Sequence, residues 1–345
     1  MAEITAWGEC AMKQAFLKAP WIVEIRDTEP GIPGRDEVIL DVKACGICGS
    51  DLNLARTAPE FTAFGHEFSG IVEAVGPEVK NIRPGDYAAV ESSSFCGKCA
   101  MCRNGHPEKC SNRYIYAPCY CGFAEKVVAK AGALVPFEGL TFEEAAVAEP
   151  MGVAMDMVEL ADIRINDHVA VYGAGPIALL AVRLARLKGA RRVTVMAHSH
   201  SKARIRLASF YGADRVVCTD REDLHDAFRE DRADRVLVTT PPYTLKDAVD
   251  IAAFGGIICH IGFGRSREDA LCTLDIDRMH FRRLQLRLSF AAPALFFPMC
   301  MDMMKNGLID VKPLISHRFP LERLGEAMAV CRDDPENAVK VMITG

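Results

Sequence analysis

A chain of 345 residues is long enough for two domains, each burying its own core. Its net charge of −5 argues against a dedicated nucleic-acid binder. No run of about 18 apolar residues offers a membrane span.

The first residues, Met-Ala-Glu-Ile-Thr-Ala-Trp, lack the charged start and apolar run of a signal peptide, so a cytoplasmic protein is expected. The 14 cysteines then read as reduced thiols, some of them metal ligands. Residues 11–45 read as short strands, with Val38–Ala44 the clearest. Pro30, Gly31, Pro33 and Gly34 mark the turn before it. Short strands broken by Gly and Pro continue at Gly70–Val75, Tyr87–Glu91 and Phe123–Ala129, which predicts an all-β, barrel-like segment. A helical pattern starts at Thr141 and runs to Glu149-Pro150.

From residue 168 strands and helices alternate. Strands are expected at His168–Tyr172, Arg192–Ala197, Arg215–Thr219, Asp234–Thr240, Gly256–Gly262 and Leu284–Phe290. That alternation predicts an α/β, parallel, doubly wound sheet. A Met- and Phe-rich helix near Leu295–Lys305, the run Val311–Phe319, a short helix at Leu321–Arg332 and a strand at Ala338–Ile343 close the chain. This tail is placed back on the first domain. The expected division is 1–150 with 293–345, and 151–292.

The stretch Val169–Ala178 reads as strand, tight turn and helix. Gly173 makes the turn, Gly175 lets a phosphate approach the backbone, and Ala178 lets helix and strand pack closely. Pro176 and Ile177 open a helix whose first amides face an anion.

The most specific signal is Cys96-x2-Cys99-x2-Cys102-x7-Cys110. Four closely spaced thiolates suit a closed, tetrahedral zinc site. A nucleic-acid zinc ribbon is usually built on two separated knuckles, and the acidic chain adds no support for one. A second set pairs Cys48, in Cys-Gly-Ile-Cys-Gly-Ser-Asp, with His66, in Gly-His-Glu. These are two ligands of an open zinc site, which needs a third and leaves room for substrate or water. Glu67 and Glu149 are the candidates for the third.

These motifs, with Pro84-Gly85-Asp86, Glu149-Pro150 and the closing Lys340–Ile343, carry a family resemblance. The chain resembles the zinc-containing medium-chain alcohol and polyol dehydrogenases, and the sorbitol and threonine dehydrogenase branch more than the liver alcohol dehydrogenase branch. The resemblance covers essentially the whole chain. It implies a GroES-like β-barrel catalytic domain plus a Rossmann domain, with catalytic zinc in the cleft between them. Cys48 and His66 would hold that zinc, and Asp51 would accept a hydrogen bond from His66. Glu149 occupies the position of the polyol branch's glutamate, and Glu67 could exchange onto the metal. Ser50 sits where the family keeps a hydroxyl to pass the substrate's proton outward. Two departures stand out. Asn53 replaces a histidine that would continue the proton route, and Cys119–Phe123 replaces an Asp-Gly-Gly run.

A site for NAD normally places an acid about 20 residues beyond the glycines. From His168 through Ala213 there is no Asp or Glu, and Ala197 stands where that acid would be. The loop that follows brings His198, Ser199, Lys202 and Arg204, which suit a 2′-phosphate. NADP is therefore expected over NAD, with two zinc ions per chain. The expected reaction is hydride transfer between NADP(H) and a polyol or sugar-like secondary alcohol or ketone. The rivals are a simple secondary-alcohol or aldehyde reductase and a non-catalytic nucleotide-binding protein on the same fold. Arg113, Tyr114, Tyr116 and Phe290 are candidates to line the substrate pocket. A homodimer or homotetramer is expected through the apolar strand Leu284–Phe290.

Overall fold

The computed structural model describes residues 11–112, 114–115, 121–264, 266–290 and 293–345. Arg113, Tyr116, Cys119, the side chain of Tyr114 and the N-terminal stretch read above lie outside the described residues. The chain divides into two compact units: Met1–Glu149 with Phe297–Asp333 and Lys340–Gly345, and Pro150–Phe296 with Asp334–Val339.

The first unit is built mainly from antiparallel strands. A three-stranded sheet pairs β1 (Met12–Lys18) with β2 (Ile22–Thr28) and later with β4 (Thr62–Ala63). The central strand is β3 (Glu37–Gly46), whose Val38, Ile39, Leu40, Val42 and Ala44 are all buried. A strand covered on both faces reads as a nearly continuous apolar run. The chain then turns into α1 (Gly49–Thr57) and returns as β5 (Glu67–Val75), antiparallel to β3. Next come β6 (Tyr87–Val90), the short pair β7 (Ser93–Ser94) and β8 (Tyr114–Ile115), β9 (Lys126–Lys130) and β10 (Leu134–Pro136). A one-turn helix, α2 (Ala100–Arg103), lies between β7 and β8. Thr141 starts α3 (Phe142–Ala146) with a capping box: its hydroxyl accepts the Glu144 N–H at 3.2 Å, and Glu144 reaches back to the Thr141 N–H at 2.8 Å.

Helix α4 (Ala148–Leu160) begins at the boundary. Pro150 is tolerated because it falls in the first turn, where an N–H has no helical partner. The second unit is a six-stranded parallel sheet in the order β13-β12-β11-β14-β15-β16. These strands are β11 (His168–Tyr172), β12 (Arg192–Ala197), β13 (Arg215–Cys218), β14 (Ala233–Val238), β15 (Ala252–His260) and β16 (Gln285–Leu288). Every residue of β11 is buried. Helix α5 (Pro176–Leu187) buries Ala178, Leu179, Leu180 and Leu184; each buried leucine contributes about 1.5–3 kcal/mol relative to exposure. Helices α6 (Lys202–Phe210), α7 (Leu224–Ala227), α8 (Leu245–Ile251) and α9 (Ile276–Phe281) complete the alternation.

The chain then re-enters the first unit through α10 (Phe297–Lys305), β17 (Ile315–Phe319), α11 (Leu324–Asp333) and β18 (Lys340–Thr344). β18 pairs antiparallel with β3, Met342 opposite Gly46, and closes the sheet β10-β6-β5-β3-β18-β17, with β9 also paired to β3. One part of the tail departs from the sequence reading. Residues 334–339 belong to the second unit, because the Ala203 N–H donates to the Glu336 carbonyl at 3.0 Å and Arg204 to the Ala338 carbonyl. Residues 293–296 also stay with that unit. No helix among the described residues is long and apolar enough to cross a membrane.

Candidate active site

Three donors meet at the start of α1 and the start of β5. One ligand atom each from Cys48, His66 and Glu67 lies within 4.8 Å of the others. Ligands sharing one zinc ion stand about 3.3–3.8 Å apart, so a small closure seats the ion. Cys48 caps α1, and Asp51 in that helix accepts the Cys48 N–H at 2.8 Å. This fixes the backbone that carries the thiol. The His66 Nδ1 lies 3.7 Å from Asp51 Oδ1. The hydrogen bond expected between them is therefore not made at this separation; the other Asp51 oxygen serves the helix cap.

Glu67 is held by a group the sequence reading gave no role. Lys340 Nζ reaches both Glu67 oxygens, at 2.8 and 2.5 Å, and the Ile47 carbonyl at 3.1 Å. Both side chains of this ion pair are buried. Gly46 makes the room, since a Cβ there would overlap a Glu67 oxygen. Glu149 sits in the first turn of α4, buried, and Ser92 Oγ donates to its Oε1 at 2.5 Å. It is not part of the three-donor group, but its charge is felt by His66 and Lys340. Ser50 is exposed on the first turn of α1, and Asn53 lies one turn further on.

The electrostatics of this cluster call for positive charge. Burial pushes the Asp51 and Glu149 carboxyls up, against the pull of His66. Burial opposes a charged His66 ring, yet Cys48, Asp51 and Glu149 together hold its pKa well above the ordinary value. Lys340 is likewise raised: Glu67 and Cys48 outweigh the cost of burying it. Four acidic groups thus face one ammonium and one imidazole. A zinc ion fits this donor set, in chemistry and in spacing.

The other cysteine set is closed. Cys96, Cys99, Cys102 and Cys110 offer sulfurs within 4.8 Å of one another, and none is in a disulfide. Cys99 lies 3.5 Å from Cys102 and 3.8 Å from Cys110, and Cys110 lies 3.5 Å from Cys96. Four sulfurs around one zinc stand about 3.8 Å apart. Backbone N–H groups of Lys98 and Cys99 point at the Cys96 sulfur at 3.4 and 3.3 Å. The N–H groups of Cys102 and Ser111 draw the Cys99 thiol down to about 5. Burial and the neighbouring Cys99 and Cys110 sulfurs instead push the Cys102 thiol up to about 12.

The glycine turn lies in the second unit. Gly173 has φ +119°, and a Cβ there would overlap the Thr239 hydroxyl. Gly175 caps α5, and a Cβ there would meet nothing, which leaves open space at the first turn. Pro176 occupies that turn, where a missing N–H costs nothing, and Ile177 follows. At the end of β12, Ala197 is buried. Ser199 donates its N–H to Asp220 Oδ1 at 2.8 Å and its hydroxyl to Oδ2 at 2.6 Å. His198 Nδ1 lies 4.0 Å from the same carboxylate. Lys202 and Arg204, expected on a phosphate, are engaged elsewhere. Lys202 pairs with Glu336 at 2.7 Å, and Arg204 donates twice to the Ala338 carbonyl at 3.0 and 2.9 Å. Sequence reasoning missed Asp220 because it looked for an acid only along β12, and β13 ends alongside it, Cys218 opposite Ala197.

Residues 34–139 match the alcohol dehydrogenase GroES-like domain, and residues 176–306 match the zinc-binding dehydrogenase family. The starvation-sensing protein RspB of Escherichia coli (strain K12) is 30% identical, over 96% of this chain and 99% of that protein. A sorbitol dehydrogenase of Arabidopsis thaliana is 29% identical over 97% of both. Among solved structures, an alcohol dehydrogenase of E. coli CFT073 complexed with NADH superposes with a TM-score of 0.87 at 29% identity, covering 97% of this chain and 99% of that one. A protein of Sinorhizobium meliloti 1021 described as a zinc-binding dehydrogenase, bound to NADP, gives 0.86 at 28% identity over 98% of this chain and all of the other. The chain belongs to the zinc-type medium-chain alcohol and polyol dehydrogenases. It is an oxidoreductase with a GroES-like domain and a Rossmann-type nucleotide domain.

Proposed function

We propose that this enzyme moves hydride between NADP(H) and a polyol or sugar-like secondary alcohol or its ketone, with one catalytic and one structural zinc per chain. The observation that carries the reading is the donor group Cys48, His66 and Glu67, ringed by buried carboxylates. The chemistry zinc supplies in such a place is Lewis-acid polarisation of an alcohol or carbonyl oxygen, while the nicotinamide takes or gives the hydride.

The chain's own residues do the rest. Cys48 and His66 hold the metal, with Glu67 as the third donor in the present arrangement. Asp51 orients His66, and Lys340 holds Glu67 in place through both its oxygens. Ser50 passes the substrate's proton outward; Asn53 cannot ionise, so from there the proton leaves through water or the cofactor ribose. Glu149, fixed by Ser92, accepts hydrogen bonds from neighbouring substrate hydroxyls. An apolar pocket could not reward those hydroxyls. Gly173, Gly175, Pro176 and Ile177 present the α5 amides to the cofactor pyrophosphate. Ala197 leaves room for a 2′-phosphate, with His198 and Ser199 beside it. Cys96, Cys99, Cys102 and Cys110 hold the structural ion. The protein is proposed to act as a cytoplasmic homo-oligomer.

The relatives support the substrate class without fixing the member. They include proteins named L-idonate 5-dehydrogenase, sorbitol dehydrogenase and L-threonine 3-dehydrogenase. The solved neighbours hold NADH in one case and NADP in another. The test is absorbance at the reduced-nicotinamide wavelength, with polyols, sugars and their keto forms against both cofactors. A polyol with NADP is expected to give the highest rate. Glu149→Gln is expected to lower turnover strongly and to leave NADP affinity nearly unchanged. Faster turnover of 2-butanol than of any polyol would replace this reading with the simple reductase.

A further inference from the structure

The end of β12 carries no acid, yet a carboxylate is there. It arrives from the neighbouring strand. β13 runs parallel to β12 with Cys218 opposite Ala197, and the Thr219 N–H donates to the Ala197 carbonyl at 3.0 Å. Asp220 therefore emerges beside the loop that follows Ala197. Its two oxygens take the Ser199 N–H at 2.8 Å and the Ser199 hydroxyl at 2.6 Å, with His198 Nδ1 at 4.0 Å. The two cations further along face away toward Glu336 and Ala338. Ser199 and His198 remain beside this strand end; Asp220 already takes both Ser199 donors, and His198 lies 4.0 Å from it.

We propose that Asp220 is a specificity-determining residue of the cofactor site: its carboxylate occupies the donors a 2′-phosphate needs and limits how strongly the enzyme prefers NADP. The proposal rests on the cofactor reading above. A phosphate and a carboxylate compete for the same N–H and O–H groups and repel each other. A ribose 2′-hydroxyl does neither, since it can donate to the carboxylate. The Ser199 hydroxyl and amide draw the Asp220 carboxyl down to about 2, so it is ionised across any assay range. Asp220 therefore discriminates against the extra phosphate and leaves the rest of the dinucleotide untouched.

The experiment titrates the metal-loaded enzyme with 2′,5′-ADP, 5′-AMP, NADP and NAD. Asp220→Asn keeps an oxygen for the Ser199 N–H and removes the charge. It is expected to tighten 2′,5′-ADP and NADP about fivefold, the size of an exposed charge–charge effect. Binding of 5′-AMP and NAD should stay within twofold. Ser199→Ala should weaken 2′,5′-ADP alone, and in the double variant the Asp220→Asn gain should shrink, because the competition runs through Ser199. Unchanged or weaker 2′,5′-ADP binding in Asp220→Asn, or a loss confined to 5′-AMP and NAD, would overturn the proposal. The wild-type ratio of NADP to NAD affinity tests the underlying reading separately. Equal affinities there, with 2′,5′-ADP still tightened in Asp220→Asn, would remove the preference and keep the role of Asp220.

Discussion

Lys340 and Glu67 are 273 positions apart in the chain and 2.5 Å apart in the fold. No local pattern announces such a pair. A lysine opening the apolar strand Lys340–Thr344 was the only hint. That Cys48 and His66 would lie together was legible from their two motifs, and the clustering of the four lobe cysteines from their local spacing. That Glu67 rather than Glu149 lies near Cys48 and His66 was not legible, since each carboxylate's place is set by a distant buried partner, Lys340 for Glu67 and Ser92 for Glu149. The pair gives a direct prediction. Lys340→Met leaves a buried carboxylate without its cation and is expected to cost about 3–5 kcal/mol in urea unfolding. Glu67→Gln combined with Lys340→Met is expected to recover most of that loss. A single variant as stable as wild type would show that the pair holds nothing together.

Among the elements, β11 and α5 were the easiest to read, because an apolar strand, two glycines and an apolar helix follow each other without a gap. Strand β3 was also readable from its apolar run. Segment 334–339 falls in the second unit rather than the first, tied there by backbone carbonyls and by the Lys202–Glu336 pair, neither of which a local pattern announces. Strand β16 raises a different question. It is an edge of the parallel sheet, and Leu288 on it is 67% exposed. Phe254 and Phe281 in the same unit are exposed as well. An apolar open edge is a liability unless something covers it. A second copy pairing along β16 is the cover proposed here. Sedimentation at micromolar concentration is expected to give a dimer or tetramer, and Leu288→Asp should shift it toward monomer. A wild-type protein that sediments only as a monomer would refute this.

For the whole molecule, the alternation of strands with helices after residue 168 set apart a parallel sheet, and the Gly- and Pro-broken strands before it set apart an antiparallel one. What sequence could not supply was the return of the chain, in which β18 lands on β3 and carries Lys340 to Glu67. The molecule so built carries two cysteine-containing donor clusters: the four sulfurs of the lobe, and Cys48 with His66 and Glu67. In the proposed function the first is a closed metal site and the second an open one. Structural zinc contributes folding free energy, whereas an open zinc contributes chemistry. Metal analysis of gently purified protein separates the two. Wild type is predicted to hold close to two zinc equivalents per chain, and Cys48→Ala close to one, with folding intact and hydride transfer lost. A wild-type value near one that Cys48→Ala leaves unchanged would contradict the catalytic metal site.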